Sequence, residues 1–125
     1  MDAFLELFSF QGRANRAWFF WHSVLDDLVV FTALILFAVV GITMGPLLAL
    51  PLLGVLGAAA WGAAAIAVKR LHDLGRPGWY VLGTLIPIYN LYLGWIMLFK
   101  RGDVGPNEYG PDPLEAPIHT AELYP

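Results

Sequence analysis

Between Trp18 and Phe99 the chain is dominated by three apolar runs, each long enough to cross a bilayer if coiled as helix. A hydrocarbon core about 30 Å thick takes roughly 20 helical residues. Within it every backbone polar group must be satisfied internally, so only helices and closed barrels span it. The runs cover about 18–44, 47–68 and 79–99. They predict an all-α integral membrane protein: an antiparallel transmembrane hairpin plus a third, Pro-kinked transmembrane helix. One polytopic domain over 1–113 follows, with 114–125 expected as a disordered tail.

Local signals punctuate the runs. Trp18-Phe19-Phe20-Trp21 opens the first as an aromatic belt, and Asn15 is placed to cap it. Gly45-Pro46 breaks it, because Pro lacks a donor and disfavours helix in the residue before it. The second run starts at Leu47 or Pro51 and reaches Lys69-Arg70, with Gly75 as its stop. In the third, Pro87 is expected to free the carbonyl of Gly83 and kink the helix. A re-entrant hairpin turning at Ile86-Pro87-Ile88-Tyr89-Asn90 competes with that reading, and needs protein around its turn. Ahead of the spans, Phe4 to Phe10 reads as a short interfacial stretch. Asp2 and Glu6 stand where a signal peptide carries bases. After them, the density of Gly, Pro, Asn and Asp from Gly102 to Pro113 predicts an irregular tail.

Composition agrees with lipid as the solvent. Of 125 residues 58% are hydrophobic and 14% charged, against about 25% charged in a soluble domain. A net charge of -3 speaks against nucleic acid, which calls for a basic face. With no cysteine there is no disulfide, thiolate nucleophile or Cys-based metal centre, and no cofactor or metal site is expected. Orientation follows from the bases. Arg13, Arg16, Lys69, Arg70 and Arg76 fall on one side of a three-span chain, and Lys100 and Arg101 on the other. Positive-inside then puts the N-terminus in the cytoplasm and the C-terminus outside, whereas the hairpin alternative would put every base inside.

Three sets of residues carry chemistry. Asp26 and Asp27 lie about two turns into the first span, where an ionisable group needs a partner or solvation. With the turn between Met44 and Pro51, Asp26 is level with Lys69, so an intramembrane cluster of Asp26, Asp27, Lys69 and Arg70 is predicted. Gly54, Ala58 and Gly62, at four-residue spacing, predict a close helix–helix contact. Arg13, Arg16, Arg70 and Arg76 offer guanidinium groups suited to lipid phosphate. His72 and Asp73 are adjacent and so face apart on a helix, which weakens them as a catalytic dyad.

Phe10-Gln11-Gly12-Arg13-Ala14-Asn15-Arg16 before Phe20-Trp21, then Arg70-Leu71-His72-Asp73-Leu74-Gly75-Arg76, then Gly105-Pro106-Asn107-Glu108-Tyr109-Gly110-Pro111-Asp112-Pro113, occur in that order. Together they resemble the bacterial inner-membrane proteins of the domain of unknown function 805 family. The resemblance implies a small polytopic plasma-membrane protein and supplies no activity. It adds Asn107 and Tyr109 to a headgroup- or partner-binding set of Arg13, Arg16, Arg70, His72, Asp73 and Arg76. The expected function is a non-enzymatic accessory or scaffold that packs against partners or copies of itself and binds membrane lipids. An oligomeric transporter or channel lined by Asp26, Asp27 and Asn90 is the alternative. A membrane enzyme using His72 and Asp73 is the third.

Overall fold

The computed structural model describes residues 3–115. Four α-helices follow in order: α1 (Ala3–Glu6), α2 (Arg16–Thr43), α3 (Pro46–Asp73) and α4 (Pro87–Phe99). A 3-10 helix, Gly78–Leu85, stands between the last two. Asn15 caps α2, its Oδ1 accepting from the Trp18 N–H at 2.8 Å.

The turn between α2 and α3 is only Met44-Gly45. Gly45 sits at φ 102°, a backbone state open to glycine and strained for side-chain-bearing residues. Pro46 follows at the first helical position, where its missing donor costs nothing. So α3 starts at once and runs through Pro51. This tight turn changes the register expected from sequence. A Cβ on Gly41 would lie 3.9 Å from Ala49, and one on Gly62 only 3.3 Å from Asp26 Oδ1. Asp26 is therefore level with Gly62, two helical turns short of Lys69.

α2 and α3 have 28 residues each, or about 42 Å at 1.5 Å per residue, and both are long and apolar enough to cross a membrane. The third span is not one kinked helix. The 3-10 helix has 8 residues and α4 has 13, about 16 Å and 20 Å long, and neither reaches across 30 Å. Between them Ile86 is extended, at φ −96° and ψ 113°. Pro87 does not interrupt a helix; it starts one. The Gly83 carbonyl accepts from the Ile86 N–H at 3.1 Å, and the Ile86 carbonyl from the Asn90 N–H at 2.7 Å. The two legs touch where Gly83 meets Tyr89 and Leu93, whose Cδ1 would stand 2.9 Å from an added Cβ.

The far leg returns to the end it left. The Phe99 carbonyl accepts from Arg16, the first residue of α2, at 3.2 Å. The Lys100 carbonyl accepts from Arg70, in the last turn of α3, at 2.5 Å. The tail from Lys100 onward thus lies with the Arg13 loop, not on the opposite side as three crossings required. The expectation for 114–125 falls, beyond Glu115, outside the described residues. At Leu114 itself the chain is held, its N–H donating to Asp112 at 2.9 Å.

Burial is uneven along the hairpin. Phe19, Ile66, Leu71, Leu74, Leu93, Ile96 and Met97 form a core at the charged end, where all segments overlap. Farther out, α2 and α3 have only each other, and Ile42 and Leu47 are 85% and 78% exposed. In water such surface would aggregate; in lipid it is the required exterior.

Candidate functional site: a charged lock at one end of the bundle

Arg70 is wholly buried, and its guanidinium joins three parts of the chain. Nε donates to the Met97 carbonyl at 2.6 Å and Nη2 to that of Lys100, which holds the end of α4. Nη1 donates to the Ala14 carbonyl at 3.2 Å, which holds the start of α2, and to Asp73 Oδ2 at 2.5 Å. Of the α4 carbonyls that a helix end leaves without a helical partner, that of Met97 is thereby satisfied by side chain, as that of Phe99 is by Arg16.

Asp73 is the second hub. Its other oxygen, Oδ1, lies 3.0 Å from Arg13 Nη2 and accepts from Arg13 Nε at 3.1 Å. Arg13 then reaches the tail: Nη1 donates to the Gly105 carbonyl at 2.7 Å and Nη2 to the Asp103 carbonyl at 2.6 Å. The Asp73 carbonyl accepts from the Asp103 N–H at 2.7 Å. A Cβ on Gly102 would overlap the Asp73 carboxylate and lie 2.8 Å from its carbonyl oxygen, so the tail passes here because residue 102 has no side chain.

His72 is occupied elsewhere. Its Nδ1 faces the Gly12 carbonyl at 3.1 Å, which requires the proton on that nitrogen, since a carbonyl only accepts. Its ring stacks on Tyr109, centroids 4.0 Å apart and planes 1° from parallel. Asn107 Nδ2 donates to the His72 carbonyl at 2.9 Å and to Asp103 Oδ2 at 3.1 Å. Asp112 closes the tail, accepting from the Gly105 N–H at 3.0 Å and from Leu114. Those backbone donors, Leu114 and then Gly105, hold its carboxyl below the usual carboxylate range.

The three sequence motifs are therefore one site in space. Arg13, Arg70, His72, Asp73, Asn107 and Tyr109 converge, with Arg16 beside them on the Phe99 carbonyl. Arg76 lies apart, donating to the Tyr92 hydroxyl at 3.1 Å and lying over the Tyr80 and Tyr92 rings. On this geometry one earlier expectation fails, and His72 and Asp73 face apart as their adjacency in sequence implied. Arg13 and Arg70, with side chains 1% and 0% exposed, face the protein's own carbonyls and Asp73 rather than lipid phosphate. His72 and Asp73 point to different partners and form no dyad.

The predicted ion pairs of Asp26 and Asp27 also fail. Among the described residues both salt bridges belong to Asp73, with Arg13 and Arg70. Lys69 instead donates to the Glu6 carbonyl and lies 5.4 Å from the Trp18 ring centroid. The cause is the register set by Gly45. Nor do Asp26, Asp27 and Asn90 line one path. Asp26 borders a cavity between α2 and α3, Asp27 a groove beside Gly94 and Leu98 of α4, and Asn90 is exposed. The small-residue stripe divides too. Gly62 is buried against Asp26 and Phe8, Ala58 borders the same cavity, and a Cβ on Gly54 would meet nothing within 4 Å. Besides Gly62 against Asp26, α2 and α3 come close where Gly41 faces Ala49, and Ala33, Ala49 and Ala59 are buried along the hairpin.

Sequence reasoning missed the backbone acceptors of the lock, at Ala14, Met97 and Lys100, and the roles of Asp103 and Asp112. No side-chain pattern marks a carbonyl acceptor. Asp112, directly after Gly110-Pro111 and accepting from the N–H two residues on, carried the signal of an Asx turn.

Fold and site together define a polytopic helical membrane protein whose N-terminal loop, α3 end and C-terminal tail are locked on one side. The family described as "Protein of unknown function (DUF805)" matches residues 7–111, and the chain belongs to it. Inner membrane protein YhaH of Escherichia coli (strain K12) is 28% identical over 127 residues, covering 94% of this chain and all of that protein. Inner membrane protein YhaI of the same strain is 30% identical over 108 residues, covering 83% of this chain and 85% of that one. No solved structure matches.

Proposed function

We propose that this chain is a non-enzymatic accessory or scaffold protein of the bacterial inner membrane, its locked end in the cytoplasm and its bare helix faces packing on partner membrane proteins or on copies of itself. One observation carries the reading. The ionic groups at the heart of the family motifs are consumed in holding the chain's own segments together, while the lipid-facing flank keeps an uncovered small-residue position at Gly54. Arg13, Arg70 and Asp73 leave no charged group of the lock facing a substrate, as a chemistry-bearing centre built on them would need. A rigid, one-sided platform does not need one.

Orientation is supported by charge. All seven Lys and Arg residues stand at the lock end or in the segments joined to it, and the opposite turn, Met44-Gly45, carries none. Under the positive-inside rule both the Arg13 loop and the tail face the cytoplasm, beside an anionic leaflet that attracts bases. Lys100 and Arg101, both exposed, are the groups free to meet it.

The test exploits the absence of cysteine. Gly54→Cys, oxidised in intact membranes, should give a cross-linked dimer or a cross-link to a neighbour, whereas Gly62→Cys should not. A monomer at Gly54 and at every other exposed position along α2 and α3 would overturn the packing role.

A further inference from the structure

Lys69 is 7% exposed, yet no carboxylate among the described residues lies within 4 Å of its ammonium. A buried cation is costly unless its charge is met, and a carbonyl and a ring face meet it only in part. Lys69 lines a polar cleft of about 650 Å³ with Glu6, Ser9, Gln11, Trp18 and Tyr109. An apolar cavity of about 300 Å³ lies deeper between α2 and α3, walled by Phe4, Leu25, Val29, Val55 and Ile66. Leu7 and His22 line both, so the two spaces adjoin. Both volumes fall in the range of ligand pockets. A polar head site over a buried cation, continuous with an apolar groove open sideways to lipid, has the shape and polarity of one amphiphile.

We infer that one glycerophospholipid from the surrounding leaflet seats its phosphate on Lys69 and lays an acyl chain in the groove between α2 and α3, beneath Phe4 and Phe8. This deepens the reading that the charged end lies at an anionic leaflet. The groups facing the phosphate are Glu6 from α1, Arg13 and Gln11 from the loop, Trp18 and His22 from α2, and Tyr109 from the tail. Arg13 is already committed to Asp73, which leaves Lys69 as the charge that binds. Glu6 opposes it, and Asp26 sits within the apolar cavity. A second negative group is therefore rejected at depth, so the head stays at the mouth and the chain lies inward.

The full chain, purified in mild detergent, is given phosphatidylglycerol or the diacylglycerol with the same chains, and adducts are read by native mass spectrometry. One phosphatidylglycerol per chain should be retained, and diacylglycerol not. Lys69→Met should weaken retention about tenfold, the scale of one charge-assisted hydrogen bond. Val55→Trp fills the groove from a lipid-facing position and should weaken it comparably without touching the core. Glu6→Gln should strengthen it. Protease resistance of the tail, which depends on Arg13 and Asp73, checks that each variant is folded. Equal retention of diacylglycerol, or undiminished retention of phosphatidylglycerol in Lys69→Met or Val55→Trp, overturns the proposal. Retention in detergent does not depend on which way the chain faces, so this test and the orientation reading fail separately.

Discussion

Replacing Arg70 by Met tests whether the lock holds the fold. The change removes a fully buried guanidinium that makes hydrogen bonds to Met97, Ala14, Asp73 and Lys100. Met keeps the side-chain length and most of the packing, so the effect reads polar loss more than cavity. Three carbonyls lose a donor and Asp73 keeps only Arg13. Breaking a buried ion pair from one side costs about 3–5 kcal/mol, and orphaned carbonyls add to that unless water reaches them. Asp73→Leu should be at least as severe, because it leaves Arg13 and Arg70 facing each other without an anion. The double variant should cost less than the sum of the two, with a coupling of about 1–3 kcal/mol. Denaturant unfolding in detergent measures the cycle, and limited proteolysis of residues 101–113 reports release of the tail. If each single change costs under about 1 kcal/mol and the effects add, the cluster behaves as a surface ion pair and the lock does not exist.

Reporter fusions after Gly75 and after Leu114 should report the same side of the membrane, and opposite sides would refute the returning hairpin. Gly102→Ala drives a methyl into the Asp73 carboxylate and should destabilise by about 1–3 kcal/mol, measured as a shift in the denaturation midpoint. The tail should be acid-sensitive. Because the Leu114 and Gly105 N–H groups lower the Asp112 carboxyl, its contribution is complete above the unfolded value near about 3.9 and is lost as pH falls through the lower folded value. Digestion with an acid-active protease should show the tail loosening only below about pH 4, with Asp112→Asn weakening that dependence.

The helical segments were largely legible in the sequence, because hydrophobic length and aromatic belts act locally. Asn15 as a cap and the break at Gly45-Pro46 are signals of the same kind. Two things were not legible. The first is register. Pro51 looks like a helix start, but Pro46 takes that position and Pro51 falls inside α3. Moving the helix start by a few residues shifts every cross-hairpin pair, which is why Asp26 meets Gly62 instead of Lys69. The second is the fate of residues 79–99. Their summed length equals a span, and a proline near the middle is compatible with either a kink or a break. The tie is decided by remote partners: Arg70 and Arg16, which draw Lys100 and Phe99 back to the near side.

Those partners also explain why three motifs so far apart in sequence form one site. A two-helix hairpin in lipid gains little from burying apolar surface against itself, and this one has a bare outer half. The 3-10 helix and α4 are each too short to be anchored by spanning. What holds them must act at the membrane boundary, by directional bonds to backbone that has no helical partner left. Arg70 supplies those bonds from one end of α3, and Asp73 is the counter-charge that lets an arginine be buried there. Arg13 uses the remaining carboxylate oxygen to bring in the loop before α2 and the tail after α4. Gly102 and Gly105 are the points at which the tail backbone comes close enough to be bound. The guanidinium groups first expected to bind lipid are therefore needed inside the molecule, and Lys69, directly before Arg70 in sequence yet with its ammonium outside that bonding network, is the buried cation whose charge is met in part only, by the Glu6 carbonyl and the Trp18 ring.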